Sequence, residues 1–453
     1  MRSSKRQKKD LPNKEVKQAV EVRVGSSARA VSTQAGSSGK PKRGQATDAQ
    51  DDTADAHRIQ STPALGKSTR KQKAPENGEL RTEKPSALFK PTKGRDWTVS
   101  IAVPGSFLHN AKDKELKSAV CGQIARAAAV FCVDEIVVFD DDPNHFRKKP
   151  IDPKKKAALL EKIEPKDQDT QDPDMFLYTL LMYMECPPHL RKILFKFDPR
   201  FQWQGIFPSL DMPHHTKPDE WSQFREGVSL DLEIAQRDPK HYAKAIAELR
   251  NPTSETPFTL VECGFKTPLR IAVEIPGGMR VTLRFPDAKP PRSWPHLTPG
   301  DLAYLEENVE TPHVDQPRLE GYYWGYNVRK VSSLSAVWTE SDYESGYDFS
   351  IGTSERGIPL SSVLPDPDKP IVEGMLPEKF EHMIIFFGGV SGLEPIVAAD
   401  PELGVQLTKE TAHEAFDSWV NVLPGQGSRT IRMEEAVWIS LMGLRPYIAS
   451  CME

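Results

Sequence analysis

The chain has 453 residues, too many for one typical core, so two or three domains are expected. Hydrophobic residues make up 38%, low for a wholly globular chain, and no apolar run is long enough for a membrane-spanning helix. The formal charge of -4 conceals an asymmetry: of 60 Lys/Arg and 64 Asp/Glu, residues 1–93 hold 21 and 10, leaving 39 and 54 for the rest.

Residues 1–93 contain a single aromatic, Phe89, and are rich in Ser, Gln, Ala, Gly and Lys. Such a segment buries too little apolar surface to offset its ordering entropy, so a disordered basic arm is expected. Clusters such as "RSSKRQKK" and "KPKRG" suit nuclear import or loose nucleic-acid contact, with a solubilising tail as the alternative. No signal-peptide pattern opens the chain, and the five cysteines show no CxxC spacing. Reduced thiols are therefore expected, with no disulfide framework or zinc site.

Order is expected from Trp97. "WTVSIAVPG" reads as a buried strand ending at a Pro-Gly turn, and "DKELKSAVCGQIARAAAV" from Asp113 as a helix with an acidic start. "DEIVVFDDD" gives a second strand, and "DPDMFLYTLLMYMECPPHLRKILF" a helix stopped by Pro187 and Pro188, then a shorter one. This alternation predicts the first part of an α/β domain over 94–224, with parallel strands. Beyond about Arg225, "PFTLVECGFKTPLRIAVEIPGGMRVTLRFPD" alternates on either side of "PGG", a β-hairpin signature. Residues 225–318 are read as an inserted small β-barrel-like (OB-like) module of a kind that binds oligonucleotides.

From Gly321 the α/β pattern returns and occupies 319–453. "GYYWGYNVRKV", "GYDFSIGTS", "HMIIFFGGV" and "DSWVNVLPG" read as strands, "SSLSAVWTES" as a helix, and "RTIRMEEAVWISLMGL" as the closing helix. Three strands end in glycine-containing turns: "IGTSERG" from Ile351, "FFGGVSGLE" from Phe386 and "VLPGQGSRT" from Val422. Ligands of open α/β sheets bind outside the carboxyl ends of the strands, and glycine lets main-chain groups approach a flat ring closely. The turns lack the spacing of a dinucleotide fingerprint, a phosphate loop or a serine-hydrolase elbow.

The strings "GYYWGYNVR", "GYDFSIGTSERG", "IIFFGGVSGLE" and "LPGQGSRTIRMEEAV" resemble the SPOUT class of S-adenosylmethionine-dependent RNA methyltransferases. They are most similar to its eukaryotic and archaeal branch, in which one member is also described as a centromere protein. The resemblance covers about 97–450, inserted module included. It implies an α/β fold whose C-terminal segment threads a loop into a deep trefoil knot, with S-adenosylmethionine as cofactor and a homodimer as the working form. It also implies that Thr353, Gly388, Gly389, Gly392, Leu423, Pro424, Gly425 and Gln426 touch the cofactor, with Thr430 and Arg432 alongside.

Arg329, in "YNVR", matches a functional arginine of several SPOUT families. Guanidinium is a poor base, so it would grip phosphate or stabilise negative charge on the nucleophile. Glu355, Arg356 and Glu394 are further catalytic candidates, whereas Glu434 and Glu435 suit a helix start in any protein. "DDDPNH" (Asp140–His145) and His214–His215 contain metal-ligand residue types, but methyl transfer needs no metal and none is expected. The expected function is methylation of structured RNA, with ribosomal RNA the leading substrate and uridine N3 the target by analogy. The expected place is the nucleus, nucleolus or kinetochore. The alternative is a non-catalytic scaffold that binds RNA or protein in kinetochore or spindle assembly.

Overall fold

The computed structural model describes residues 94–141, 172–252, 256–366 and 374–451. The basic arm 1–93 and most of the Asp140–His145 string lie outside the described residues.

Strand β1 (Thr98–Pro104) is buried along its whole length, as its apolar run requires. A short 3-10 turn over Gly105–Asn110 leads into helix α1 (Lys114–Phe131). The Asp113 carboxylate caps α1 by accepting the Leu116 N–H at 2.8 Å. Cys132, in the left-handed region at φ 58°, ends the helix and turns the chain into β2 (Glu135–Phe139). Helix α2 (Pro173–Glu185) starts at an Asp172 cap with proline in its first turn and stops before Pro187.

Six strands form one parallel sheet in the order β10-β8-β9-β1-β2-β7, where β7 is Asn327–Val331, β8 Phe349–Pro359, β9 His382–Phe386 and β10 Ser418–Asn421. One face packs on α1, α2 and the closing helix through residues such as Ile101, Ile124, Leu177 and Leu441. The other face packs on helices Ser335–Thr339 and Glu394–Ala399 through Val137, Val337, Phe386 and Val397. The parallel α/β expectation is met.

A second sheet is antiparallel, ordered β5-β4-β3-β6, from β3 (Phe224–Leu230), β4 (Thr259–Glu262), β5 (Leu269–Ile271) and β6 (Arg280–Arg284). Here the sequence reading needs correction. The "PGG" turn does not close a hairpin, because β6 pairs with β3 while β5 pairs with β4. Ser229 explains the outcome: its N–H and hydroxyl engage Met279 and Pro276, holding the turn against β3.

The start of β7 also differs from expectation. Tyr322–Tyr326 is not strand, since Gly321 and Gly325 sit at φ 96° and 84°. Its rings fill the interior instead, Tyr323 donating to the Val133 carbonyl, Tyr326 to that of Leu181, and Trp324 to Glu226. Trp324 joins a buried ion network in which Arg280 of β6 donates to Glu185 of α2 at 2.6 and 3.0 Å and to Glu226 of β3 at 2.5 Å. His214 and His215 both contact the Glu185 carbonyl, and His214 also pairs with its carboxylate at 3.0 Å. The histidine pair is thus built into the network between the sheets. No group of three or more His, Cys, Asp or Glu among the described residues is placed to hold a metal ion.

Candidate active site

After β10, at one edge of the parallel sheet, the chain passes back across the strand ends into the closing helix α3 (Met433–Ser450). That helix packs on α1, with Phe131 and Trp438 in edge contact at 5.5 Å. The crossing leaves a cleft of about 930 Å³ between the middle of β8 and the carboxyl ends of β9 and β10, in the size range of small-molecule sites.

The three glycine-containing segments meet there, but the first corrects the sequence expectation: "IGTSERG" is not a turn after a strand but lies inside β8, bulging out where Gly352 and Ile358 pair with the successive residues Trp419 and Val420 of β10. Each segment is tied to another. Thr353 in the first donates its hydroxyl to the Phe386 carbonyl of the second at 2.8 Å. The Glu355 carbonyl accepts from Asn421 Nδ2 at the foot of the third, also at 2.8 Å. In the second turn, a side chain at Gly388 would meet the main chain of Gly392 and Leu393 at 2.4–2.7 Å. Gly392 closes the turn at φ 86°, its N–H bonded to the Gly389 carbonyl at 3.1 Å. Close backbone packing demands these glycines. The third turn is open instead: nothing lies within 4 Å of where a Cβ would stand on Gly425 or Gly427.

Charge is concentrated on the rim. Glu394, 12% exposed, accepts from Ser354 Oγ at 3.1 Å and from Arg356 Nη1 at 3.0 Å, while Arg356 itself is 70% exposed. Glu355, Arg429, Arg432 and Lys112 also border the cleft. Asp141 lies beyond the second turn and accepts the Ser106 hydroxyl at 2.5 Å, with Gly389 packed against both. Nearby, Asp174 accepts the Gly105 N–H at 2.7 Å. Burial, with Asp140 and Asp172 close by, pushes its carboxyl up to about 7 despite that bond.

Of the residues singled out in the sequence, the cleft brings together Thr353, Glu355, Arg356, Gly388, Gly389, Gly392, Glu394, Leu423, Gln426, Thr430 and Arg432. Pro424 and Gly425 shape the third turn but do not line the cleft. Arg329 lies elsewhere, on the opposite edge strand β7. Its guanidinium donates to Glu135 at 3.0 Å, to the Val337 carbonyl at 2.9 Å and to the Tyr347 hydroxyl at 2.9 Å. Burial disfavours its charge, but Glu135 and Tyr347 outweigh that and hold its pKa above the ordinary arginine value.

The sequence reading missed one wall altogether. Phe107, Leu108 and Asn110 from the turn after β1, with Leu116 and Val120 from α1, face the glycine turns. The available signal was the Pro104-Gly105 break at the carboxyl end of the first strand, subject to the same strand-end rule as the later turns.

The family described as "Putative RNA methyltransferase" matches residues 98–444, a span that contains every cleft residue named above. The chain is 38% identical over 378 residues to the "28S rRNA (uridine-N(3))-methyltransferase" of Homo sapiens, covering 83% of this chain and 85% of that one. The Mus musculus protein of the same name is 38% identical over 355 residues, covering 78% and 77%. That of Drosophila melanogaster is 34% identical over 349 residues, covering 77% and 62%.

Proposed function

The chain belongs to the RNA methyltransferase family that its residues 98–444 match, and from that premise we propose that it methylates N3 of a uridine in 28S-type ribosomal RNA, with S-adenosylmethionine as donor. The observation that carries this reading is the cleft between the bulge of β8 and the ends of β9 and β10, where all three glycine-containing segments converge.

The lining suits such a donor. Apolar surface from Phe107, Leu108 and Leu423 faces polar groups from Thr353 and Gln426, and the tight Gly388 turn keeps side chains out of the way. The bound donor would supply an electrophilic methyl carbon on a sulfonium, so the protein's task is to align the acceptor and make it electron-rich. Uridine N3 must lose a proton before it attacks. Glu355 is the carboxylate assigned to accept it, since Glu394 is already engaged by Ser354 and Arg356. Arg356 stands beside it to stabilise negative charge spreading onto the uracil oxygens, while Lys112, Arg429 and Arg432 meet the phosphates of the entering strand. Arg329 is assigned a structural part, holding Glu135 and Tyr347 across β2 and β7.

Three further features belong to this proposal. The tail is knotted, a reading supported by the return of the chain from the edge strand β10 across the cleft to α1. The working form is a homodimer, supported by exposed Val130 and Met442 on the helix pair α1 and α3. The four-stranded sheet and the basic arm hold RNA, and the enzyme works in the nucleus or nucleolus.

The test is nucleoside mass spectrometry of ribosomal RNA incubated with the full chain and S-adenosylmethionine. New N3-methyluridine is expected, and Glu355→Gln should lower its rate without loosening the donor in calorimetric titration. A methyl group on ribose would refute the base assignment, and no transfer to any RNA would refute the activity.

A further inference from the structure

We propose that Phe197 is a stacking platform for an unpaired RNA base outside the catalytic cleft, with Lys192 and Lys196 contacting the adjoining phosphates. This rests on the reading of the chain as an RNA methyltransferase.

Phe197 is 98% exposed, more than any other large hydrophobic residue among those described. Its setting is nevertheless well anchored. On either side of it, Phe195 and Phe201 pack on Tyr183, at 5.3 Å edge-on and 4.3 Å stacked. Asp198 accepts from the Arg200 N–H at 2.8 Å and from its guanidinium at 2.9 and 2.6 Å, starting the 3-10 turn Pro199–Ile206. The Tyr183 hydroxyl donates to Gln204 in that turn at 2.5 Å. Neighbouring aromatics are thus folded inward while one ring is left in solvent on a braced loop. A platform held this way loses little conformational entropy when a base stacks on it.

The local charge points to nucleic acid. Residues 191–206 carry four basic side chains and one acidic, within a folded part that is acidic overall. Two of the four are spent: Arg200 on Asp198, and Arg191 on the Cys186 and Met184 carbonyls and the Tyr183 ring. Lys192 and Lys196 remain exposed. A protein-binding surface would need a contiguous apolar patch, whereas the residues flanking Phe197 are Lys196, Asp198 and Pro199. An isolated aromatic among lysines suits a base and its phosphates.

The loop also lies beside the catalytic cleft. Its 3-10 turn packs on α1, and the Lys114 charge in the first turn of that helix acts on Asp198. The same end of α1 supplies Leu116 to the cleft wall. A strand whose target base enters the cleft would therefore leave over this loop.

The experiment is fluorescence anisotropy of the full chain with a single-stranded oligouridylate, and with a fully paired, blunt-ended RNA duplex as control. Phe197→Ala should weaken oligouridylate binding roughly 10-fold and leave duplex binding and the melting temperature unchanged, while Phe197→Trp binds as the parent does. Lys196→Ala should lower the salt slope by about 1. In methylation assays Phe197→Ala should raise KM with kcat preserved. Unchanged oligouridylate affinity in Phe197→Ala would overturn the assignment, as would a change in its oligomeric state, which would make Phe197 a protein contact. A parent chain that transfers no methyl group, yet loses oligouridylate affinity on Phe197→Ala, would sink the catalytic reading and leave the platform standing.

Discussion

At Gly388 a single methyl group decides whether the second turn can form. A Cβ there meets the main chain of Gly392 and Leu393, which cannot swing aside as a flexible side chain would. Gly425 has open space around it, and only its φ of 73° resists a side chain. Gly388→Ala is therefore expected to abolish S-adenosylmethionine binding and lower the melting temperature sharply. Gly425→Ala should cost about 1 kcal/mol and leave a folded, measurable protein. Calorimetry and thermal melts on the two variants check this, and equal effects would mean that close packing is not what the second turn requires. The sequence marked the glycines as candidates for a ligand-binding turn. Which of them pack tightly was not, because that depends on segments brought together only by the sheet. Asp174 carries a second prediction. Its carboxyl is raised from an ordinary 3.8 to about 7, chiefly by burial. Between those values the folded chain holds a proton that the unfolded chain has released, so stability falls as pH rises through that window and levels off above it. The slope is at most about 1.4 kcal/mol per pH unit. Asp174→Asn keeps an acceptor for the Gly105 N–H and removes the charge. Its melting temperature should match the parent near pH 4 and exceed it at pH 8.

Between elements, the join of the two sheets rests on Arg280. It satisfies carboxylates on α2 and β3, and Glu185 is held well below the usual carboxylate range because Arg280 and His214 outweigh its burial. Arg280→Met would remove the arginine from two buried carboxylates, leaving Glu185 only His214 and Glu226 only the Thr282 and Trp324 donors, at a cost of roughly 3–5 kcal/mol. Adding Glu185→Gln and Glu226→Gln should recover much of that loss, and chemical denaturation of the single and triple variants measures it. No recovery would show that packing of the arginine stem, rather than its charge, joins the sheets. Element identity was well marked in the sequence where the pattern was strong, as in β1, α1 and β9. Pairing was not. "PGG" flanked by alternating residues fits a hairpin locally, yet Ser229 holds the turn against β3 and sends β6 to a different neighbour. Tyr322–Tyr326 has the composition of a strand, and two positive-φ glycines turn its rings into the core.

Over the whole molecule, the acidic balance of residues 94–453 makes a broad electrostatic footprint for RNA unfavourable there, whereas residues 1–93 carry 21 basic against 10 acidic side chains. Removing residues 1–93 should weaken binding to ribosomal RNA at 50–150 mM salt and flatten the dependence of log K on log salt, since fewer counterions are released. Filter binding across a salt series tests this. An unchanged slope would assign the arm no part in RNA contact.

Read alone, the sequence determined the alternation of strands and helices, the late position of the glycine-containing segments and their resemblance to one class of RNA methyltransferases. These are properties of short contiguous stretches, in which side-chain period and backbone freedom are already encoded. Only the tertiary structure decided that the turn after β1 supplies a wall of the cleft, and that Arg329 lies at the opposite sheet edge tied to Glu135. Strand order made both decisions: β1 sits beside β9, whereas β7 lies at the far side of β2. Order in a parallel sheet follows from long-range packing of buried faces, which no local window of sequence contains.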